Sequence, residues 1–179
     1  NKTPESIRLT VNGEDVSLEL DRGFASVIRE WQRGDEVVLR LPMPIRMTEC
    51  HPAVEANRNR IVFTRGPLVL CAEGIDNGGA TQRFFFENLP DTENATLTKN
   101  RTEHGSFMQA KIAAPSVTED GRVRAGKLVL TPYYAWNNRG ISSMTCWFPR
   151  DKSQAVFDPH ALPEAVSYTH LTLPTMELV

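Results

Sequence analysis

The sequence predicts an all-β fold built as two small β-sandwich lobes, jelly-roll-like in type. Three observations lead to it. Apolar residues recur with a period of two through the first 70 residues, the pattern of strands buried on one face. Turn signals punctuate the chain at short intervals, and no stretch shows a convincing amphipathic-helix pattern. The 12 prolines are spread along the chain, which opposes long helices because proline removes a backbone donor and crowds the preceding turn.

Ile7, Leu9 and Val11 alternate with polar partners, and Asn12-Gly13 then supplies the two positive-φ positions of a tight hairpin turn. Val16, Leu18 and Leu20 alternate in turn, and Asp21-Arg22-Gly23 reverses the chain again. Phe24 to Trp31 is ambiguous, since Val27, Ile28 and Trp31 also suit a short helix face. The hairpin-like Arg33-Gly34-Asp35 that follows favours a strand. Val37, Leu39, Leu41 and Met43 form the next alternating run, which Pro42 and Pro44 place at a sheet edge or exit. Ile61 to Thr64 reads as a strand, Arg65-Gly66-Pro67 as a turn, and Leu68 to Ala72 as a short apolar run suited to burial on both faces. Asp76-Asn77-Gly78-Gly79 is the strongest loop signal, and the domain boundary is expected there. Beyond it a Phe84–Phe86 strand, a polar stretch from Asp91 to Gly105, and strands at Met108–Ala113 and Lys127–Leu130 are expected. The lobes are therefore assigned to residues 1–75 and 76–140, with residues 151–165 as a C-terminal extension.

Charge and composition exclude some functions. With 20 Lys+Arg against 22 Asp+Glu, a net charge of −2 gives no electrostatic reason to bind nucleic acid or an anionic membrane. No apolar run approaches the roughly 20 residues of a membrane span. Asn1 to Glu5 lacks a signal-peptide pattern and there is no initiator Met, so the chain reads as an excerpt of something longer. At the other end Val166 to Thr175 looks like the translation of a transposon-type sequencing adapter, and residues 166–179 are expected to be a non-native tail on a gene cut short.

Few residues suggest chemistry. Cys50, Cys71 and Cys146 are too few and too far apart in sequence for a disulfide framework and read as small buried hydrophobes. Cys50-His51 would point to opposite faces of a strand, and no zinc-ligand spacing accompanies it. There is no G-x-S-x-G elbow. Glu30, Glu49, Glu55 and Glu73 are candidates for a glycosidase carboxylate pair only as any Glu is, and read as solvated or as partners of Arg29, Arg46 and Arg65. The sequons at Asn94 and Asn100 mark an exposed loop. The densest functional cluster is Tyr133-Tyr134-Ala135-Trp136-Asn137-Asn138-Arg139-Gly140. Ring faces stack on sugars while amides and guanidinium groups bind hydroxyls, although such a cluster also suits an aromatic strand end facing a core. Tyr133, Tyr134, Trp136, Asn137 and Arg139 are the candidate sugar or domain-interface contacts.

Three blocks carry a resemblance. They are Gly23-Phe24-Ala25-Ser26-Val27-Ile28-Arg29-Glu30-Trp31 with Leu41-Pro42-Met43-Pro44; His51-Pro52-Ala53-Val54-Glu55-Ala56-Asn57 with Arg65-Gly66-Pro67-Leu68-Val69; and Pro132 to Gly140 with Met144 to Trp147. In this order and spacing they resemble the C-terminal β-sandwich region of glycoside hydrolase family 127, the β-L-arabinofuranosidase type. The resemblance implies a bacterial enzyme whose helical (α/α)₆ barrel carries the chemistry, with a cysteine nucleophile beside zinc and a separate Glu as acid. None of those motifs falls in this chain, so it implies no catalytic, cofactor or metal residue here, with zinc in the parent's barrel. It further implies that the first lobe begins upstream of Asn1, and that residues 141–150 return to it. The expected partner is the parent's own catalytic barrel. Two readings follow, a non-catalytic portion packed on that barrel and an independent carbohydrate-binding module that meets plant-derived oligosaccharide.

Overall fold

The structure, a computed structural model, describes residues 7–103 and 105–158. The adapter-like tail and residues 159–165 of the C-terminal extension lie outside the described residues. All regular structure beyond single 3₁₀ turns is β, as the period-two pattern predicts. The chain divides into two compact units, Asn1–Pro44 and Ile45–Val179.

In the first unit, β1 (Arg8–Val11), β2 (Glu14–Val16) and β5 (Val37–Arg40) form a three-stranded antiparallel sheet in the order β2-β1-β5. The β1–β2 hairpin turns at Asn12 and Gly13 with φ of 51° and 83°, the two left-handed positions that their sequence signalled. A separate ribbon pairs β3 (Leu20–Asp21) with β4 (Phe24–Ala25) around Arg22-Gly23. The strand expected from Phe24 to Trp31 is thus only two residues long. Ile28 is 98% exposed, so that side chain has no sheet to face.

The second unit holds β6 (Ile45–Glu49), β7 (Arg60–Arg65), β8 (Leu68–Glu73), β9 (Thr96–Thr102), β10 (Gly105–Val117), β11 (Val123–Pro132), β12 (Met144–Thr145) and β13 (Phe148–Pro149). All eight belong to one hydrogen-bonded sheet. Strands change partner along their length: β8 pairs with β7 through Leu68–Leu70, with β11 at Leu70 and Cys71, and with β12 at Ala72 and Glu73. The apolar residues of these strands form one core. Ile61, Phe63, Leu70, Ile112, Leu128, Leu130 and Phe148 meet there, with the Phe63, Phe86 and Phe148 rings 5.2 to 6.0 Å apart in edge and tilted contacts.

The expected boundary at Asp76–Gly79 is not where the chain divides. Strands before and after it share the one sheet, and Asn77 is buried at its margin. The Asn77 amide donates to the Glu73 and Val129 carbonyls at 2.8 and 3.0 Å and accepts from the Val129 N–H at 3.0 Å. It thereby acts as an extra peptide group tying β8 to β11. Phe84–Phe86 is not a strand beyond one bridge from Phe84 to Ser116; all three rings are buried and plug the core. Residues 144–149 pair through β12 with β8 and through β13 with β7, strands of the same second unit and not of Asn1–Pro44.

Candidate functional site

Two chain segments meet at the ends of β8 and β11. The first runs from Glu73 through the 3₁₀ turn Gly74–Asp76. The second leaves β11 at Pro132, makes the 3₁₀ turn Tyr133–Ala135 and continues as a loop to Gly140. Gly74 lets the chain just beyond the loop come close, since a Cβ there would lie 2.7 Å from the Ser143 hydroxyl.

Arg139 fastens the loop. Its two terminal nitrogens donate to both Asp76 carboxylate oxygens at 2.9 and 2.6 Å, and Nη2 also pairs with Glu73. The fork geometry of guanidinium suits this bidentate contact. Hydrogen bonding to Asp76, the larger cause, together with Glu73 raises the Arg139 pKa above its ordinary value. Glu73 is fully buried and takes a further bond, 3.0 Å, from the Asn137 backbone N–H. Asn137 presents that N–H by adopting a φ of 63°, a conformation asparagine tolerates. Gln109 extends the network, donating to Asp76 at 2.8 Å and to Thr131 at 3.1 Å while accepting from Asn100 at 2.5 Å.

Sequence reasoning missed this network. Glu73 was expected, like the other three glutamates, as a solvated carboxylate or a partner of Arg29, Arg46 or Arg65; it is buried and paired with Arg139 instead. Both carboxylates are held by fixed donors, so the pair serves to lock the loop. Of the other three glutamates, Glu49 pairs with Arg150 and Glu55 with Arg58 at 3.4 Å, both at the surface, and Glu30 is exposed.

The aromatic part of the cluster faces outward rather than into a core. Tyr133, Tyr134 and Trp136 are 49%, 65% and 37% exposed. The Tyr133 and Trp136 rings stack at 6.0 Å and 29°. Tyr134 lies at the rim of a shallow pocket of about 120 Å³ with Arg65, Lys99 and Ser106, floored by Leu70 and Phe107. The structure thus brings Arg65 of one sequence block beside Tyr134 of another. Asn137 is exposed as a side chain, whereas Arg139 is committed to the carboxylates. Among the described residues no three His, Cys, Asp or Glu side chains converge as a metal site requires.

Fold and site together define an all-β chain whose polar cluster immobilises a surface loop. Comparison with known proteins gives the family. Residues 45–149 match the glycoside hydrolase family 127 C-terminal domain, and residues 4–43 match the β-L-arabinofuranosidase GH127 middle domain. The chain belongs to glycoside hydrolase family 127. The two matches meet where the compact units divide. A non-reducing end β-L-arabinofuranosidase of Bifidobacterium longum subsp. longum is 30% identical over 157 residues, which is 78% of this chain and 23% of the relative. A solved GH127 β-arabinofuranosidase aligns with a TM-score of 0.69 and 29% identity over 84% of this chain and 24% of its own. The GH127 β-L-arabinofuranosidase of Geobacillus stearothermophilus T6 aligns with a TM-score of 0.63 and 31% identity, covering 80% and 24%. The chain therefore spans about a quarter of the length of these relatives.

Proposed function

We propose that this chain is a non-catalytic portion of a β-L-arabinofuranosidase and that it packs against and steadies the catalytic barrel of the parent protein. The observation that carries the reading is the pair of adjoining matches to middle and C-terminal domains, within relatives about four times as long. Apolar exposure in the first unit agrees with it: Phe24 is 77%, Leu20 63% and Leu41 59% exposed, a surface that a neighbouring domain would cover. The locked Tyr133–Arg139 loop offers a rigid rim for such a contact. Zinc and the nucleophile would both belong to the barrel.

The test is an assay of arabinose release from a β-L-arabinofuranoside by the purified chain, with metal analysis after dialysis. The expected result is release equal to the buffer blank and zinc well below one equivalent. Release above the blank, or one zinc per chain, overturns the reading.

A second reading, a carbohydrate-binding module, has the exposed stacked pair of Tyr133 and Trp136 in its favour. It requires saturable quenching or enhancement of tryptophan fluorescence by arabino-oligosaccharide, abolished in Trp136→Ala. An unchanged signal removes it.

A further inference from the structure

Cys71 and Cys146 are separated by most of the second unit in sequence, yet Cys146 directly follows β12, the short strand that pairs with the Cys71 strand, β8. Met144 is opposite Glu73 and Thr145 opposite Ala72; one step along that register, Cys146 is opposite Cys71. The Gly74 N–H donates to the Ser143 carbonyl at 2.8 Å, which makes those two a hydrogen-bonded pair. Pairs alternate along an antiparallel ladder, so Cys71 and Cys146 form a non-hydrogen-bonded pair, the type with the closest side chains and a Cα separation of about 4.5 Å. Disulfides span Cα separations of about 4.4–6.8 Å. The backbone is therefore already placed for a bridge, although both thiols are free.

We propose that Cys71 and Cys146 are a dithiol modification site that a hydroperoxide closes to a disulfide, with Cys146 reacting first and Cys71 resolving. The environments of the two differ in the sense this order requires. Cys71 is fully buried, whereas Cys146 is half-buried and reachable. A hydrogen bond from Cys71 lowers the Cys146 pKa and favours its thiolate; the same bond, then burial, pushes Cys71 up and keeps it a thiol. Glu73 also raises Cys71, and Arg139 opposes that effect.

The step balances. The Cys146 sulfur attacks one peroxide oxygen, the O–O bond breaks, and the departing oxygen takes the Cys146 proton and leaves as water. The product is Cys146 sulfenic acid. The Cys71 sulfur then attacks the Cys146 sulfur, the S–O bond breaks, and the hydroxyl leaves with the Cys71 proton as a second water. Two thiols have lost two electrons and hydrogen peroxide has gained them. The bridge ties β8, which ends in the Glu73 anchor, to the chain just after β12, the strand that follows the Tyr133–Arg139 loop, and so fixes the base of that loop. Met144 is the competing sink, its sulfur 3.6 Å from that of Cys146.

The experiment treats the chain with graded hydrogen peroxide and follows intact mass, a non-reducing peptide map and the melting temperature. Cys50, half-buried and without a facing thiol, is the internal control. The expected result is a mass lower by two hydrogens at doses that leave Cys50 reduced, a Cys71–Cys146 linked peptide, and a higher melting temperature that dithiothreitol reverses. In Cys71→Ala the linked product disappears and trapped Cys146 sulfenic acid increases; in Cys146→Ser, Cys71 stays reduced. Stable sulfinic acid at Cys146 with Cys71 still free, Met144 sulfoxide as the sole product, or a dimer bridged through Cys146 would each overturn the proposal.

Discussion

Residues 7–44 and residues 45–158 are both all-β, yet they solve burial differently. In the second unit the sheet folds around its apolar residues, and seven of the large side chains in its core are essentially inaccessible: Ile61, Phe63, Leu70, Phe84, Leu128, Leu130 and Phe148 are at most 1% exposed. In the first, only Leu9 and Val11 are buried among the described residues. On β5, every residue is exposed, so neither face of that strand is covered. Leu39 and Val37 stand beside Leu9 and Val11 in register but remain 53% and 51% exposed. Hydrogen-bonded strands alone thus do not make a core. Burial of a Val, Leu, Ile or Phe side chain contributes about 1.5–3 kcal/mol, and the first unit lacks most of that contribution.

Core truncation should expose the contrast most strongly. Phe148→Ala removes a fully buried ring from the three-phenylalanine contact and should cost about 3–5 kcal/mol in denaturant unfolding. Phe24→Ala, at a 77% exposed ring in the first unit, should stay within about 0.5 kcal/mol. A large loss from Phe24→Ala would show that the first unit has a packed face after all. The loop lock comes next. Arg139→Ala leaves Glu73 buried without its cation, which should cost about 3 kcal/mol or more. Arg139→Lys, which keeps the charge but loses the fork, should recover part of it. Equal melting temperatures for wild type and Arg139→Ala would mean that the ion pairs do not hold the loop.

Acidification should discriminate between the units with a smaller effect. Asp35 accepts from the Gln32 N–H and from the Asn12 side chain, both at 2.8 Å, and Asn12 in turn accepts from the Glu36 N–H at 2.9 Å. Those bonds, the Gln32 backbone bond first, lower the Asp35 pKa. A depressed folded pKa contributes stability above the unfolded carboxylate range, and this contribution is lost as pH falls through the folded value. As pH falls below the usual carboxylate value of 3.8 and through the lower folded value, amide signals around Asn12 and Gln32–Glu36 should therefore loosen, and Asp35→Asn should remove that dependence. An unchanged pH response in Asp35→Asn contradicts the assignment. Smallest of all, Arg8→Ala breaks an exposed Arg8–Asp15 pair and should leave the melting temperature unchanged.

What was legible in the sequence followed burial on one face. Turns at Asn12-Gly13 and Arg65-Gly66, and strands β7 and β8, stand out because their residues satisfy a local rule. By contrast, β9 is polar apart from Leu97 and mostly exposed, at the edge of the sheet beside β10, so no hydrophobic period announces it. Phe84–Phe86 misled because three buried aromatics in a row resemble a strand when they are in fact a plug. The Glu73–Asp76–Arg139 lock was invisible because Arg139 lies more than 60 residues from Glu73 and Asp76, and only the pairing of β8 with β11 brings them together. The same is true of Cys71 and Cys146, whose sequence separation says nothing about their register.

Native-state hydrogen exchange of the whole chain tests the contrast between the units most directly, because it reads the opening free energy of each strand in one molecule. Amides of β7, β8, β10 and β11 should exchange only through global unfolding. Those of β1, β2 and β5 should exchange through local opening at markedly lower free energy, with little dependence on denaturant. Protection in β1 and β5 equal to that in β10 and β11 would contradict the claim that the first unit lacks a covered core.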